Sequence, residues 1–540
     1  METYSKHHFM FPFRWDILPA KFSQNDIKEN LSFDSRTNLR ELPEVLKNNT
    51  NENFIIWERK KFEISNENEI IPLNYSEFTY FHEYAAKAIY DFDYPWKKGD
   101  LIKYYEFYID KTKKNQYQIS IKQKGSRKEI YLTIDGLTLH FYNTGVGVLS
   151  YNLSNTEPSQ ANSETLLQIN EYGRRIYPQF ISSGGLAFTK ELFLANYISL
   201  TINDTLIACE NFDKYEGNND SISVVTPYLL PSFIKNIFTD QFIFNLTENA
   251  LSEQKILITK VTDDRMYFQS WCGDPQLAVL DSNSFLINDW WFAHIFGDKE
   301  IQTSIANQEL KKTLLKEHTY PRWADYGTLY GMSRDSFVCI TNHKKAPYIF
   351  DHMETMYYSL SVLCLAQRAS ILKFTAEVAN LADVAKLNTE KKLIANIKDI
   401  YRNYIEFINK LYFREITPQI QGIEMYSQFQ KILKIEEEIK NLDQEIEELH
   451  NYIHLIQSEN QNRNTNKLSH IATIFLPISV VFSVLGANFF SDESGPLSYK
   501  LFSGSIVSKV LDGLFMGFGI SLTLIALIYI ILYLINQFRK

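Results

Sequence analysis

The chain has 540 residues, of which 45% are hydrophobic and 14% aromatic, so it is long enough for two or three domains with a sizeable buried core. Its net charge of -9 argues against a protein that binds nucleic acid through an overall basic field, and we expect no nucleic-acid partner. The cysteines are scattered without CxxC spacing, which predicts neither a zinc cage nor a disulfide framework, and the N-terminal residues lack the pattern of a secretory signal.

Residues 1–345 contain short stretches in which apolar and polar residues alternate, as in strands with one buried face. The clearest examples are 117–121, 129–134 and 145–151, and loops rich in Asn and Ser separate them. We expect this part of the chain to form a cytosolic α+β domain that acts as a sensor.

Residues 346–416 change to a helical pattern, with apolar residues three and four positions apart. The pattern predicts two helices that are divided near 388–389. Their apolar positions are Leu360, Leu363, Cys364, Ile371 and Phe374 in the first, and Leu393, Ile397, Ile400, Tyr404 and Phe407 in the second.

Residues 417–467 contain the most regular pattern in the chain, which predicts a long stalk helix. Pro418 suits the first turn of a helix, and no proline separates this region from the apolar residues that follow. The stalk could transmit motion to those residues, or it could be a coiled-coil spacer without that role. The apolar stripe consists of Ile432, Ile435, Ile439, Leu442, Ile446, Leu449, Ile453 and Ile456.

Two segments free of charged residues, 471–490 and 513–535, are each close to the ~20 residues that a helix needs to cross a bilayer. We therefore predict transmembrane helices at 468–490 and 513–536, an external loop at 491–512 and a basic end at 537–540. Basic residues lie before the first span and after the second, which places the two ends of the hairpin on the cytosolic side of the membrane. Both termini are expected in the cytosol, with the hairpin in a bacterial inner membrane.

One face of the first predicted span is small and polar over most of its length. Such a face either lets helices pack closely or lines a water-filled path. Two spans cannot enclose a pore, so the second interpretation requires an oligomer, in which Leu476 would form a bulky constriction. The face consists of Asn462, Thr465, Ser469, Ala472, Leu476, Ser479, Ser483 and Gly486.

The hairpin begins with the residues IATIFLP at 471–477, and Gly486-Ala487-Asn488, a short loop and a second span follow. In these features it resembles the C-terminus of CorA-type magnesium channels, which have Gly-Met-Asn in place of Gly486-Ala487-Asn488. The resemblance implies a homopentamer in the lipid bilayer that conducts Mg²⁺ or another divalent cation such as Co²⁺, Ni²⁺ or Zn²⁺. The implied fold is an α+β cytosolic domain followed by a long stalk helix and two transmembrane helices.

The same resemblance implies roles for individual residues. Asn488 would form the outer ring that binds the hydrated cation, and the backbone of Gly486 would shape that ring. An uncharged amide suits Mg²⁺, which loses its water reluctantly. The implied pore face is Asn462, Thr465, Leu468, Leu476 and Ser479.

Two departures from the magnesium-channel pattern bear on function. Ala487 replaces the Met of the motif, and residues 1–345 are longer than the matching part of ordinary CorA proteins. Enlarged CorA-like proteins of this appearance resemble membrane effectors associated with type III CRISPR systems. That branch responds to a nucleotide second messenger, an S-adenosylmethionine-AMP conjugate or a cyclic oligoadenylate.

Two further groups of residues are candidates for ligands. Arg322, Trp323, Tyr326, Ser333 and Arg334 offer cationic, aromatic and backbone groups for a nucleotide, or they form a turn that leads into a strand at 336–340. His450 and His454, four residues apart on the stalk, could share a transition metal, although two surface histidines are the simpler interpretation.

Three functions therefore compete. The first is a ligand-gated antiviral effector that compromises the membrane, and the second is a housekeeping divalent-cation transporter. The third, a membrane-anchored enzyme, has no P-loop, HExxH or nucleophile-elbow motif in its favour, and we expect no enzymatic activity.

Overall fold

The computed structural model of the chain describes most of the residues up to Gly486 and three short stretches beyond. The described residues are 4–21, 39, 42, 57–62, 73–92, 101–123, 126–177, 194–212, 230–245, 251–261, 264–281, 283–300, 305–384, 390–486, 518–519, 521–525 and 527–529. The chain divides into two compact units, Met1–Glu447 and Glu448–Lys540.

The first unit is built on one sheet of fourteen described strands. They are β1 (Ser5–Leu18), β2 (Trp57–Arg59), β3 (Ile102–Phe107), β4 (Gln116–Gln123), β5 (Ser126–Tyr142), β6 (Val146–Asn155), β7 (Tyr197–Ile202), β8 (Thr205–Asn211), β9 (Phe242–Ile243), β10 (Lys255–Lys260), β11 (Tyr267–Cys272), β12 (Thr319–Tyr320), β13 (Thr328–Ser333) and β14 (Ser336–Thr341). The main path is β12-β13-β14-β11-β1-β6-β5-β4-β7-β8, with β10 beside β1 and β3 beside β5. Pairing is antiparallel except at β11–β14 and β9–β10.

Strand β1 organises the sheet because it has neighbours along its whole length. On one side it pairs with β6, from Ser5 opposite Asn155 to Arg14 opposite Val146. On the other side its first half pairs with β11 and its second half with β10. Side chains on this strand therefore lie over the middle of the sheet.

The two faces of the sheet bury two separate hydrophobic clusters. Phe9, Phe11 and Phe13 of β1 belong to the first cluster, whereas Met10 belongs to the second. This division follows from the pleat, because successive side chains of a strand point to opposite faces. Lys6, His8 and Met10 are alternate residues of β1, so their side chains point to the same face of the sheet.

Helices cover both faces. Those described are α1 (Leu73–Tyr80), α2 (Glu83–Ile89), α3 (Ser163–Gly173), α4 (Ser232–Lys235), α5 (Asp289–Phe296), α6 (Gln308–His318), α7 (Tyr348–Glu354), α8 (Met356–Val384), α9 (Glu390–Lys410), α10 (Ile420–Ile432) and α11 (Ile435–Gly486). Helices α3 to α5 supply the first cluster, and α7 to α11 supply much of the second. An α+β domain followed by helices is confirmed.

The predicted single helix from Pro418 into the apolar segment is interrupted. Helix α10 ends at Ile432 and α11 begins at Ile435, because Lys434 takes a left-handed backbone conformation with φ of 55°. This conformation costs on the order of 1 kcal/mol for a residue with a side chain. Burial of both Leu433 and Ile435 in the second cluster offsets that cost.

In the second unit, α11 continues to Gly486, and the stretches described beyond it are helical. Within the described ranges, no helix is both long and apolar enough to cross a membrane. The predicted spans extend beyond those ranges, since 487–517 and 530–540 are not described. Asn488 and the external loop therefore lie outside the described residues.

Candidate functional site

The residues of the predicted polar face lie on one helix, α11. Where described, their side chains are exposed in the single chain, and so are the bulky Leu468 and Leu476. The Ser479 hydroxyl donates to the carbonyl of Leu476 at 2.8 Å, as serine does when it satisfies its donor within a helix. The described members are Asn462, Thr465, Leu468, Ser469, Ala472, Leu476 and Ser479; Ser483 and Gly486 are described as helix backbone only.

The two stalk histidines are close to each other. The ring centroids of His450 and His454 are 4.5 Å apart on α11. Among the described residues, however, no group of three or more His, Cys, Asp or Glu side chains could hold a metal ion. The pair alone supplies only two of the four ligands of a usual transition-metal site.

The structure does not gather the nucleotide candidates into one site. Arg322 donates to both carboxylate oxygens of Glu424, at 2.7 and 2.8 Å, and its guanidinium lies 5.6 Å from the ring of Trp323. Tyr326 is close to Trp323, with ring centroids 6.0 Å apart. These residues precede β13, and the turn to β14 follows it. At the rise per residue of a strand, the length of β13 places the two groups roughly 17 Å apart.

At that other end, Ser333 and Arg334 form the turn between β13 and β14. The Ser333 hydroxyl bonds that of Ser336 at 2.6 Å, and the Arg334 carbonyl accepts from Arg368 at 2.8 Å. These groups are thus occupied by contacts within the fold. The geometry agrees with the alternative interpretation of this segment as a turn that leads into a strand.

A polar cavity of about 400 Å³ lies on the face of the sheet that carries His8. Strands β1, β3, β5 and β6 and helices α1, α2, α7 and α8 all contribute to its wall. It is lined by His8, Lys60, Lys61, Phe62, Glu77, Ile89, Tyr90, Asp91, Tyr104, Glu106, Thr138, His140, Asn152, Glu354, Thr355, Tyr358 and Ser359.

Glu354 is a carboxylate of this cavity with two basic partners. It accepts from His8 Nε2 at 2.7 Å and pairs with Lys6 Nζ at 2.9 Å. Burial by itself opposes ionisation, yet the nearby His8 and Lys6 lower the pKa of Glu354 to about 2. The carboxylate is therefore charged and paired over the physiological pH range.

Sequence reasoning missed this cavity because its residues lie far apart in the chain, from His8 to Ser359. One signal was available in the first strand. Lys6, His7 and His8 come directly before the apolar residues Phe9 to Phe11 on a strand that is buried along its length, and polar residues at such positions need partners or a function.

The match to a known family lies in the helices that follow the sheet. Residues 368–498, about a quarter of the chain, match the family model described as CorA-like Mg2+ transporter protein. This match supports the CorA superfamily. Comparisons with curated proteins and with solved structures found no significant match.

The CorA-like segment begins within α8 and includes α9, α10 and α11. All fourteen strands end before it, as β14 ends at Thr341, and the last residue that lines the cavity is Ser359. The sheet and the cavity therefore belong to the part of the chain that the family match does not cover.

Proposed function

We propose that the chain is a subunit of an oligomeric CorA-like membrane channel for Mg²⁺ or another divalent cation. The main support is the family match over 368–498, which includes α11 with its small and polar residues at helical spacing. In this proposal, 468–490 and 513–536 cross the inner membrane, and both termini lie in the cytosol. The proposal assigns no enzymatic reaction to the chain.

Five copies, as the resemblance implies, would bring the polar face of α11 around a common axis. Exposed serine and threonine hydroxyls could then face a hydrated cation, and Leu476, which is 63% exposed in the single chain, could narrow the path by excluding water. Asn488 would supply a ring of amide oxygens, which bind a hydrated cation without adding charge.

We further propose that the sheet domain is a sensor that gates this channel. The sensor function is supported by the size of the sheet domain and by the position of that domain ahead of the CorA-like segment. The finer proposal, an antiviral effector of a type III CRISPR system opened by a nucleotide messenger, is supported by the enlarged domain and by Ala487 in the motif. The alternative is a housekeeping Mg²⁺ transporter that its own cation closes.

Cation flux in proteoliposomes tests the channel. Replacing Asn488 with Ala should change the rate or the selectivity of Mg²⁺ and Co²⁺ flux, because the outer ring would lose its amide oxygens. Asn464→Ala provides a matched control, since this amide lies one residue before Thr465 and off the proposed pore face. Flux that Asn488→Ala leaves unchanged contradicts the proposed ion path.

Flux in the same vesicles distinguishes the two kinds of gating. An effector should stay closed until a candidate nucleotide is added, whereas a housekeeping transporter should be open at low Mg²⁺ and closed at high Mg²⁺. If nucleotides neither bind nor alter flux or membrane integrity, the defence function is excluded.

A further inference from the structure

The charges that line the cavity are paired unequally. Asp91 is held by Arg59, whose Nε and Nη2 donate to its two oxygens at 2.7 and 2.6 Å. Glu354 is held by Lys6 and His8, as described above. These two carboxylates are thus already paired, Asp91 with Arg59 and Glu354 with Lys6 and with His8 of the cavity wall.

Glu77 and Glu106 differ, because the structure gives them hydroxyl donors and no ion pair with any described residue. Glu77 accepts from the Tyr90 hydroxyl at 2.8 Å and from Ser359 at 3.4 Å. Glu106 accepts from the Tyr104 hydroxyl at 2.7 Å. Burial raises the pKa of Glu77 more than its hydroxyl donors lower it, as expected for a partly buried carboxyl group that forms no ion pair.

The lysines of the cavity are already engaged. Lys60 pairs with Glu58 at 2.8 Å. The hydrogen bond to Glu58 is the main cause that raises the pKa of Lys60, and the charge of Glu106 raises it less. Lys61 also has a partner. The charges of both carboxylates act on Tyr104: burial is the main cause that raises the pKa of its hydroxyl, and Glu106 and Glu77 raise it further.

Aromatic rings form much of the remaining wall. The ring of His140 lies 4.8 Å from Tyr104 and 6.2 Å from Tyr358, measured between centroids. His140 is 6% exposed, and its Nδ1 is buried without a hydrogen-bond partner among the described residues. Burial lowers the pKa of His140 to about 3, so the ring is neutral and adds no positive charge to the cavity.

We propose that this cavity binds a small organic cation, a molecule with an ammonium or amidinium group. Glu77 and Glu106, which form no ion pair with a described residue, supply the charge, and the rings of Tyr104 and Tyr358 in the wall offer cation–π contacts. A phosphate group would meet the repulsion of both carboxylates. A bare metal ion is disfavoured because no three or more His, Cys, Asp or Glu side chains of the described residues are grouped so that they could hold one, and because about 400 Å³ suits a small molecule.

Binding is measured on the purified full-length chain in detergent, by isothermal titration and ligand-observed NMR, without any flux assay. The probes are choline and agmatine, and the control ligand is 3,3-dimethyl-1-butanol, which has the shape of choline without its charge. At least one cation should bind saturably and the neutral analogue should not. The proposal is independent of the channel function, so loss of flux with retained binding affects only the channel.

Two variants test the site. Glu77→Gln and Glu106→Gln keep the size of each side chain, and each should weaken binding of the cation about tenfold, as expected for a lost charge-assisted contact. Glu83→Gln, on the exposed surface of α2, should leave binding unchanged. Equal thermal unfolding of all variants shows that they are folded. Binding of neither cation, equal binding of the neutral analogue, or full affinity in the Glu77→Gln, Glu106→Gln double variant would overturn the proposal.

Discussion

Glu354 shows how one partly buried side chain can connect distant parts of the chain. Its partners Lys6 and His8 are on β1, some 346 residues earlier, and Lys6 is held in turn by Asp135 at 2.7 Å. A buried charge whose partner is removed is strongly destabilising, because its solvation in water is not recovered. The network therefore stabilises the contact of helix α7 with the sheet only while every member is present.

We predict that Glu354→Gln destabilises the first unit by a few kcal/mol at neutral pH, since Lys6 then loses one of its two carboxylates. The pKa of Glu354 lies below its usual 4.5, at about 2, so its contribution to stability is present above 4.5 and is lost as the pH falls toward 2. The wild type should thus lose stability across that window more steeply than the variant. Thermal unfolding followed by circular dichroism between pH 7 and pH 2 measures both effects.

The matched control is Glu83→Gln. Glu83 pairs with Lys87 at 2.6 Å, but its side chain is 73% exposed, and exposed pairs contribute little. This variant should unfold like the wild type at each pH. Equal stability of Glu354→Gln and Glu83→Gln would show that the buried network adds nothing.

At the scale of an element, β6 lies directly against β1 with no room for a side chain at Gly147. A Cβ atom there would be 2.4 Å from Cζ of Phe13 and 2.8 Å from the backbone carbonyl of His140. The ring could move only by disturbing its edge-to-face contacts with Phe141 and Phe238. The backbone of β5 is fixed by its pairing with β6.

Gly147→Ala should therefore destabilise the sheet by about 1–3 kcal/mol, the usual cost of overpacking a core. Gly136→Ala is the matched control on the neighbouring strand, because the nearest atom to its Cβ, Nδ2 of Asn152, lies at an ordinary 3.5 Å. Chemical denaturation of both variants gives the comparison. A loss of stability in Gly136→Ala as large as in Gly147→Ala would contradict the steric argument.

Periodicity predicted elements better than it predicted where they end. The alternating stretches at 117–121 and 129–134 lie within β4 and β5, and the two expected helices correspond to α8 and α9. The interruption at Lys434 was not predictable, because the apolar stripe passes through it without a glycine or proline. Burial of Leu433 and Ile435 determines the turn there, and burial is a tertiary property.

For the whole molecule, the sequence indicated the CorA resemblance because that signal is local: a short motif and two apolar segments within 471–535. The cavity carried no such signal. Glu77, Glu106 and His140 come from a helix and two strands that only the folded sheet brings together. The candidates that the sequence offered for a nucleotide, such as Arg322 and Ser333, belong to one short segment of the chain, and β13 separates them in the structure.

The distribution of the core gives a test of the whole molecule. Among the described residues, every member of the two main hydrophobic clusters lies before Glu448, and the second cluster extends to Ile446. A chain that ends at Glu447 keeps every residue of both clusters. We therefore predict that residues 1–447 fold without the rest of the chain and bind choline or agmatine as the full-length protein does.

A shorter chain is the informative control. Ending at Val384 removes α9, α10 and α11 and exposes the residues that they cover on the second cluster, so residues 1–384 should aggregate or unfold at a much lower temperature. Size-exclusion chromatography and thermal unfolding compare the two. If 1–447 is no better folded than 1–384, the first unit depends on residues beyond Glu447, and its clusters do not form an independent core.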